Sequence, residues 1–565
     1  MTHKHIVYIV FFIFSSKAIC QTKYPQGYFR NPLEIPIILA GTFGELRTSH
    51  FHSGLDLKTQ QKEGLRVHTA AEGYVSRIKV SNWGYGKALY ITHPNGYTTV
   101  YAHLKKFNNK IEQYVKKHQY QKEKEEIQLF PQKTDFIIKK DEIIAYSGST
   151  GGYIAPHLHF EIRNTKTEKI INPMHFGLIP KDSKTPIINH LRAYSFSDSS
   201  HVNSSNIEIP LNFKQLKTGI YRTDETIAYG NIGFAINTYD QQDGALNKNG
   251  IYKLEMFLND KKYFEHKVET FSFNESKYIN LLIDYPYYKK FRRKYQKTYI
   301  HPENKLSTYN RKLGKGYLNI KANRNYQVLI LVTDFAGNTS KLTIPIRGVK
   351  QSPRITRKKR KTDYFIEKES EKIIKFKNTQ ISFSRNTFYE NIFLEIENNN
   401  DNITIYNSNL PVNKNYSISF DVSEYSKPEK EKLYIAQISN KKYYNYCKTI
   451  KSDSVFTTKT KNLGVFTLHK DSEAPVISDC SFYENQNVSK YHFFTIKVID
   501  EISGLKEYRG EIDGRWIRLE LNLKTNTLTF DFSDIKLKKG KHTFTLIAMD
   551  NVGNTRTFTS LFLLK

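Results

Sequence analysis

Cysteine is scarce, with three residues in 565, at positions 20, 447 and 480. If a leader ends at Cys20, only Cys447 and Cys480 remain, in different expected domains, so a disulfide framework is excluded as what holds this chain together. Long apolar runs are missing as well. Ile6 to Phe14 is unbroken, but a membrane-crossing helix needs about 20 residues, and nothing later is long enough, so no transmembrane segment is expected. Proline is sparse at 17 residues while Tyr and Phe number 39 and 36, a balance that favours strands with aromatic cores over disorder. Acidic side chains are in deficit, 55 against 86 Lys and Arg, for a net charge of +31. That charge attracts polyanions, whether nucleic acid, anionic lipid or an acidic wall polymer, and its sign alone does not choose among them.

The N-terminus narrows the compartment. Lys4, the apolar run and Ala18-Ile19-Cys20 together read as a secretory signal peptide over residues 1–20, which places the protein in the periplasm or cell envelope, with secretion as the alternative. A lipidated cysteine wants a small residue just before it, and Ile19 stands there, which argues against anchoring at Cys20. Export also removes nucleic acid as a partner. The basic run Arg354 to Lys361 is therefore read as part of a solvated linker, 349–372.

At this length roughly three or four domains are expected, and the chain is expected to be mainly β. In Pro156-His157-Leu158-His159-Phe160-Glu161-Ile162-Arg163, strand alternation puts His157, His159, Glu161 and Arg163 on one face and Leu158, Phe160 and Ile162 on the other. Paired imidazoles on a strand can hold zinc or move protons. Upstream, His52-Ser53-Gly54-Leu55-Asp56 by the same period sets His52 and Asp56 on one face, with Gly54 leaving room for a metal to approach. Short strands are expected at Leu65–Thr69, Gly73–Val80, Lys87–His93 and Tyr97–Leu104, with Asn95-Gly96 as a hairpin turn. The last of them brings His103 to a strand end. His68, His93 and His175 lack comparable partners and are read as structural. Lys105 to Lys140 is charged, with a helical stretch at Gln119–Gln128, and is read as an insertion or lid over the site. After a strand at Glu142–Tyr146 comes the turn Ser147-Gly148-Ser149-Thr150-Gly151-Gly152, which lacks the Gly-Lys-Ser/Thr ending and the following helix of a phosphate loop.

His52-x-Gly-x-Asp56, Tyr-Ala-His103-Leu, Ser-Gly-Ser-Thr-Gly and His157-Leu-His159-Phe-Glu, in this order, resemble the LytM or lysostaphin-type zinc metallopeptidase domain over about residues 41 to 177. The resemblance implies a compact antiparallel β domain of the duplicated-hybrid-motif type, one zinc ion held by His52, Asp56 and His159, and His103 and His157 as catalytic histidines that do not ligate. It also implies peptidoglycan as substrate, through hydrolysis of peptide cross-links by a metal-activated water. The long Lys105–Lys140 insert departs from the family pattern. A noncatalytic LytM-like scaffold that binds wall, or activates a separate hydrolase, is the alternative.

From about Pro186 the character changes. Ala235 to Asp240, Asn249 to Tyr252 and Val332 to Asn338 have counterparts in Ile496 to Asp500, Ser503 to Leu505 and Ala548 to Asn554, so two similar domains are expected. Alternating strands with Asp/Gly/Asn turns suggest immunoglobulin-like sandwiches. The expected organisation is leader 21–40, metallopeptidase domain 41–180 with insertion 105–140, Ig-like domain 186–348, linker 349–372, β domain 373–470 and Ig-like domain 474–565, with a regulatory protein partner docking on the C-terminal domains. Tyr285 to Tyr295, rich in Tyr and Lys, is the candidate for touching a polymer.

Overall fold

The structure is a computed structural model describing residues 23–152, 155–356, 362–399, 402–406, 409–439 and 443–565. The expected signal segment lies outside the described residues, as does the 357–361 part of the basic run. No helix among the described residues is long and apolar enough to cross a membrane.

The chain is mainly β throughout. In the N-terminal unit the strands are β1 (Leu39–Gly41), β2 (Leu55–Lys58), β3 (Arg66–His68), β4 (Gly73–Val80), β5 (Lys87–Thr92) and β6 (Tyr97–Phe107); helix α1 (Asn109–Lys122) follows, then β7 (Ile127–Leu129), β8 (Ile137–Ile138), β9 (Ile143–Ser147), β10 (His157–Asn164) and β11 (Ile170–Ile171). The main sheet runs β1-β2-β10-β6-β5-β4-β7, and β9 pairs with both β3 and β6. Leu158, Phe160 and Ile162 of β10 all enter the core, which leaves the alternate side chains of that strand for the site.

Two expectations need correction here. Asn109–Lys122, not Gln119–Gln128, forms the helix. Asn108 caps it by accepting from the Ile111 N–H at 3.0 Å, Ile111, Val115 and Gln119 form its buried stripe at i+4 spacing, and Glu123 ends it in the left-handed conformation. The insert is also no lid. Its strands β7 and β8 pair with β4, at the opposite edge of the sheet from β2 and β10, because Ile127, Leu129 and Ile138 bury themselves against that edge.

Residues 24–39, expected as a leader, pack inward, with Tyr24, Phe29, Leu33 and Leu39 all buried in the same core. That core does not stop at residue 180: one cluster of buried apolar side chains continues through Phe271 to Ile346. The sheet continues too, since Ile170 and Ile171 of β11 pair with Phe271 and Thr270. Beyond this, strand Thr226–Tyr239 pairs with Ile187–Ser195 along one half and with Thr339–Gly348 along the other, linking two sheets. The segment from 364 to 470 builds two five-stranded sheets and a two-stranded one, and the segment from 476 to 564 builds two sheets, each segment over a core of its own. Cys447 and Cys480 are both free thiols.

Candidate active site

Register brings the site together. In β10, His159 lies opposite Asp56 of β2 on one side and Ala102 of β6 on the other, so the centre strand carries its histidine between the two flanking contributors. His52 is not on a strand. It precedes β2 and is tied down by Gly44 N–H donating to its carbonyl at 2.8 Å and by its own N–H donating to the Glu45 carbonyl at 2.9 Å. Gly54 does not face the metal position either: a Cβ there would sit 2.3 Å from the Phe160 carbonyl oxygen, so its bare backbone serves the close approach of β2 and β10.

Three donor atoms converge. His52 Nε2 is 2.9 Å from Asp56 Oδ1 and 3.1 Å from His159 Nδ1, and His159 Nδ1 is 2.9 Å from the same Asp56 oxygen. All three residues are buried, and they form a group able to hold a metal ion. The other nitrogen of each ring is committed. His52 Nδ1–H donates to the Thr42 carbonyl at 2.8 Å, and His159 Nε2–H donates to Glu161 Oε1 at 2.9 Å. These bonds fix both tautomers with a lone pair turned toward Asp56. Two neutral imidazoles and a carboxylate are a zinc-type donor set, so the residues fit the group that the sequence implies.

His103 and His157 stand beside this trio, their ring centroids 4.8 Å apart. His103 has φ of +59°, the left-handed region that non-glycine residues seldom occupy, and β6 pairs irregularly with β9 just beyond it. Its N–H donates to the Tyr85 carbonyl and its Nδ1–H to the Thr150 carbonyl, each at 2.9 Å. The Gly-rich turn delivers that carbonyl. Gly151, at φ of +83°, lies so close to Gly84 that a Cβ would be 2.3 Å from its carbonyl oxygen. His157 Nδ1–H donates to the Ala155 carbonyl at 2.9 Å, and its Nε2 is 3.6 Å from Asp56 Oδ1.

Residues 50–120 match the profile of Peptidase family M23. The N-terminal unit is a peptidase family M23 domain. Over 139 residues the chain is 31% identical to the DD-carboxypeptidase/endopeptidase Mpg of Neisseria meningitidis serogroup B, covering 25% of this chain and 23% of that protein. It is 29% identical over 144 residues to the cell division protein DipM of Caulobacter vibrioides, covering 26% of this chain and 19% of that one. The chain thus spans about a quarter or less of the length of these curated relatives. Among solved structures, the catalytic domain of lysostaphin from Staphylococcus simulans aligns with 23% identity over 25% of this chain and 91% of that one, at a TM-score of 0.19. Residues 363–471 match a Zu5-like domain.

Electrostatics separates the M23 site into two kinds of histidine. Burial, reinforced by the neighbouring His159 and His157, lowers the His103 pKa to about 3, and burial lowers that of His157 as well. Both rings are therefore neutral near pH 7, with Nε2 as the basic nitrogen. For His159 burial would act the same way, but hydrogen bonds to Asp56 and Glu161 outweigh it and push the pKa up to about 9, so Nδ1 serves as a metal donor only on giving up the proton it shares with Asp56. Burial likewise opposes ionisation of Asp56, and the His52 and His159 rings overcome it, holding the carboxyl well below the usual range.

Several supporting residues carried no role in the sequence reading. Glu161 is gripped by Arg163 Nε at 2.6 Å and by the Tyr85 hydroxyl at 2.5 Å, and Arg47 Nη2 holds Asp56 Oδ2 at 3.0 Å. Gly41 makes room for that pair, since a Cβ there would be 2.3 Å from Arg47 Nη2 and 2.8 Å from Asp56 Oδ2. Alternation along β10 does place Glu161 and Arg163 beside His159. Tyr85, Arg47 and Thr42 sit in turns and carry no periodic signal. His68, His93 and His175 are held by the Asp141 carbonyl, the Glu72 carbonyl and the Tyr252 hydroxyl, away from the trio. In the Tyr285–Tyr295 segment, Tyr288 and Tyr295 are buried, and the Arg192 guanidinium lies 4.3 Å from the Tyr287 ring and 5.6 Å from that of Tyr295, while Phe291, Lys289 and Lys290 are exposed.

Proposed function

We propose that the protein is an exported zinc endopeptidase that hydrolyses the peptide cross-links of cell-wall peptidoglycan. The observation that carries this reading is the convergence of His52 Nε2, Asp56 Oδ1 and His159 Nδ1 with two neutral histidines alongside. Zinc bound there would supply Lewis-acid polarisation of the scissile carbonyl and acidification of water.

The chain's own residues have distinct tasks. Glu161 and Thr42 hold the two ligand imidazoles in the tautomers that face Asp56. His157 Nε2, close to that carboxylate, is placed to take a proton from the attacking water. His103, held from behind by the Thr150 carbonyl, is placed to hydrogen-bond the developing oxyanion and to return a proton to the leaving amine. The charge of +31 favours encounter with stem peptides, which carry free carboxylates, in a salt-dependent manner. The similarity to Mpg, a DD-carboxypeptidase/endopeptidase, and to DipM, a cell division protein, supports a target in the cell wall. His52, Asp56, His103, His157 and His159 are all present, which favours the enzyme over the scaffold alternative.

The test is digestion of purified sacculi followed by mass spectrometry of the muropeptides. The expected outcome is loss of cross-linked dimers with release of new amines, abolished in His159→Ala. A zinc-loaded wild-type chain that releases no more amine than this variant would replace the enzyme with the scaffold.

A further inference from the structure

Two clusters of carboxylates lie away from the M23 site. Asp182, Asp240 and Asp334 each bring one oxygen within 4.8 Å of the others, and Asp471, Asp500 and Asp550 do the same. The clusters are copies of one construction. Lys181-Asp182-Ser183 and Lys470-Asp471-Ser472 each place their aspartate four residues before a proline, Pro186 or Pro475, at the start of a β unit. Asp240 directly follows strand Thr226–Tyr239, and Asp500 directly follows strand Phe493–Ile499. Asp334 and Asp550 each open an Asp-x-x-Gly-Asn turn. The asparagine of that turn ties the cluster together in both copies: Asn338 Nδ2 donates to Asp334 Oδ2 at 2.9 Å and to the Asp182 carbonyl at 3.3 Å, and Asn554 Nδ2 donates to Asp550 Oδ2 at 2.7 Å and to the Asp471 carbonyl at 3.1 Å.

Acidic side chains gathered in a turn carry little by themselves. The first cluster adds an observation of another kind. Gln242 is only 3% exposed, and its Oε1 is buried with no hydrogen-bond partner among the described residues; the same is true of Oδ1 of Asp240, which is 2% exposed. Gln242, Asp240 and Asp182 line one small pocket, together with Thr42 and Gly250. An amide oxygen and a carboxylate oxygen, both buried and both without a donor, are costly unless something positive sits between them. In the second cluster Ser503, 2% exposed, donates its N–H to Asp471 Oδ2 at 3.1 Å, and its Oγ has no partner among the described residues.

We propose that Asp182, Asp240, Asp334 and Gln242 bind a calcium ion where the M23 domain joins the second unit, and that Asp471, Asp500 and Asp550 bind another where the last unit begins. The donors are oxygen throughout, which suits a hard cation and not zinc. In each copy one aspartate comes from the connecting segment and two from strand ends of the following unit, so the ion fastens the connection to the sandwich behind it. The first ion also stiffens a wall of the M23 site, because Thr42, which lines the same cavity, accepts the His52 Nδ1–H through its carbonyl.

The test uses the full chain, stripped with EDTA and reloaded with one equivalent of zinc. Calcium alone is titrated by calorimetry, and bound metal is measured by elemental analysis after desalting. Two calcium ions per chain are expected, falling to one in Asp240→Asn and to one in Asp500→Asn, with zinc content unchanged in both. Calcium should raise the Tm of the wild type and raise it less in each variant. In chelator, Asp240→Asn should be at least as stable as the wild type, because it removes a carboxyl whose ionisation is opposed by burial and by Asp182 and Asp334. No calcium uptake at millimolar concentration, uptake of magnesium in its place, or two ions retained in both variants would overturn the proposal. If Asp240→Asn does not fold, Asp182→Asn on the connecting segment takes its place, with the same loss of one ion expected.

Discussion

Exchanging Glu161 for Gln keeps the shape of the side chain and removes the charge that holds the Nε2 proton on His159. Arg163 and the Tyr85 hydroxyl would then face a neutral amide, and the ligand imidazole would lose both basicity and orientation. Outer partners of this kind typically matter about 10–100-fold in metal affinity, and a fall of that order is expected for Glu161→Gln in a competitive chelator titration. His103→Ala separates ligation from catalysis. Because His103 is held by the Thr150 carbonyl and is not one of the three converging donors, the variant should retain its zinc while releasing amines from sacculi more slowly, by about 10²–10⁴-fold for a general acid–base group. Loss of zinc in this variant would mean that the ligand assignment is wrong. At this scale the sequence was informative where side chains alternate along a strand: His157, His159, Glu161 and Arg163 share a side of β10 as alternation requires. It was silent on Arg47, Thr42 and Tyr85, whose contacts depend on how turns fold back, and it misread Gly54, whose neighbour is the Phe160 carbonyl of another strand.

Elements were legible in proportion to how local their causes are. The Asn95-Gly96 hairpin and strands β4 and β5 follow from turn chemistry and alternation within a few residues. Helix α1 was displaced by about ten residues in the sequence reading, because Gln119–Gln128 is rich in helix formers whereas the deciding features, the Asn108 cap and the Ile111/Val115/Gln119 stripe, stand further back. Residues 127–129 then turn to strand because β4 offers an unpaired edge, which no local propensity can announce. Helix α1 thus buries its stripe in the common core and supplies none of the three donors. Ile111→Ala, at a fully buried position, should cost about 2–5 kcal/mol of stability in urea unfolding while leaving the zinc content of the folded protein unchanged. Reduced zinc binding in the folded variant would show that the insert supports the site after all.

On the scale of the whole molecule, neighbouring units complete one another. Phe271 of the second unit packs against Phe43 and Phe51, with ring centroids 5.1 and 5.4 Å away, and the Gly250 N–H donates to Thr42 Oγ1 at 2.9 Å, directly behind His52. A sequence reading that divides the chain by changes in composition cannot see a shared core. The last unit also returns to the M23 domain: Glu520 meets Lys87 at 2.9 Å, Arg509 meets Glu123 at 2.6 Å, and the Leu521 N–H donates to Glu125 Oε1 at 3.1 Å, with the Tyr508 hydroxyl on the other oxygen of Glu125. Burial pushes the Glu125 carboxyl up to about 7, against the opposing hydrogen bond from Tyr508. A carboxyl whose folded pKa lies above its unfolded value binds more protons when folded, so its contribution to stability is fully present below about pH 4.5 and is lost as pH rises through about 7. Glu125→Gln mimics the protonated form and removes that loss. The difference in Tm between variant and wild type should therefore grow from pH 4.5 to pH 7.5, in favour of the variant. A difference that stays flat across this window would mean that Glu125 ionises freely and that the last unit does not enclose it in solution.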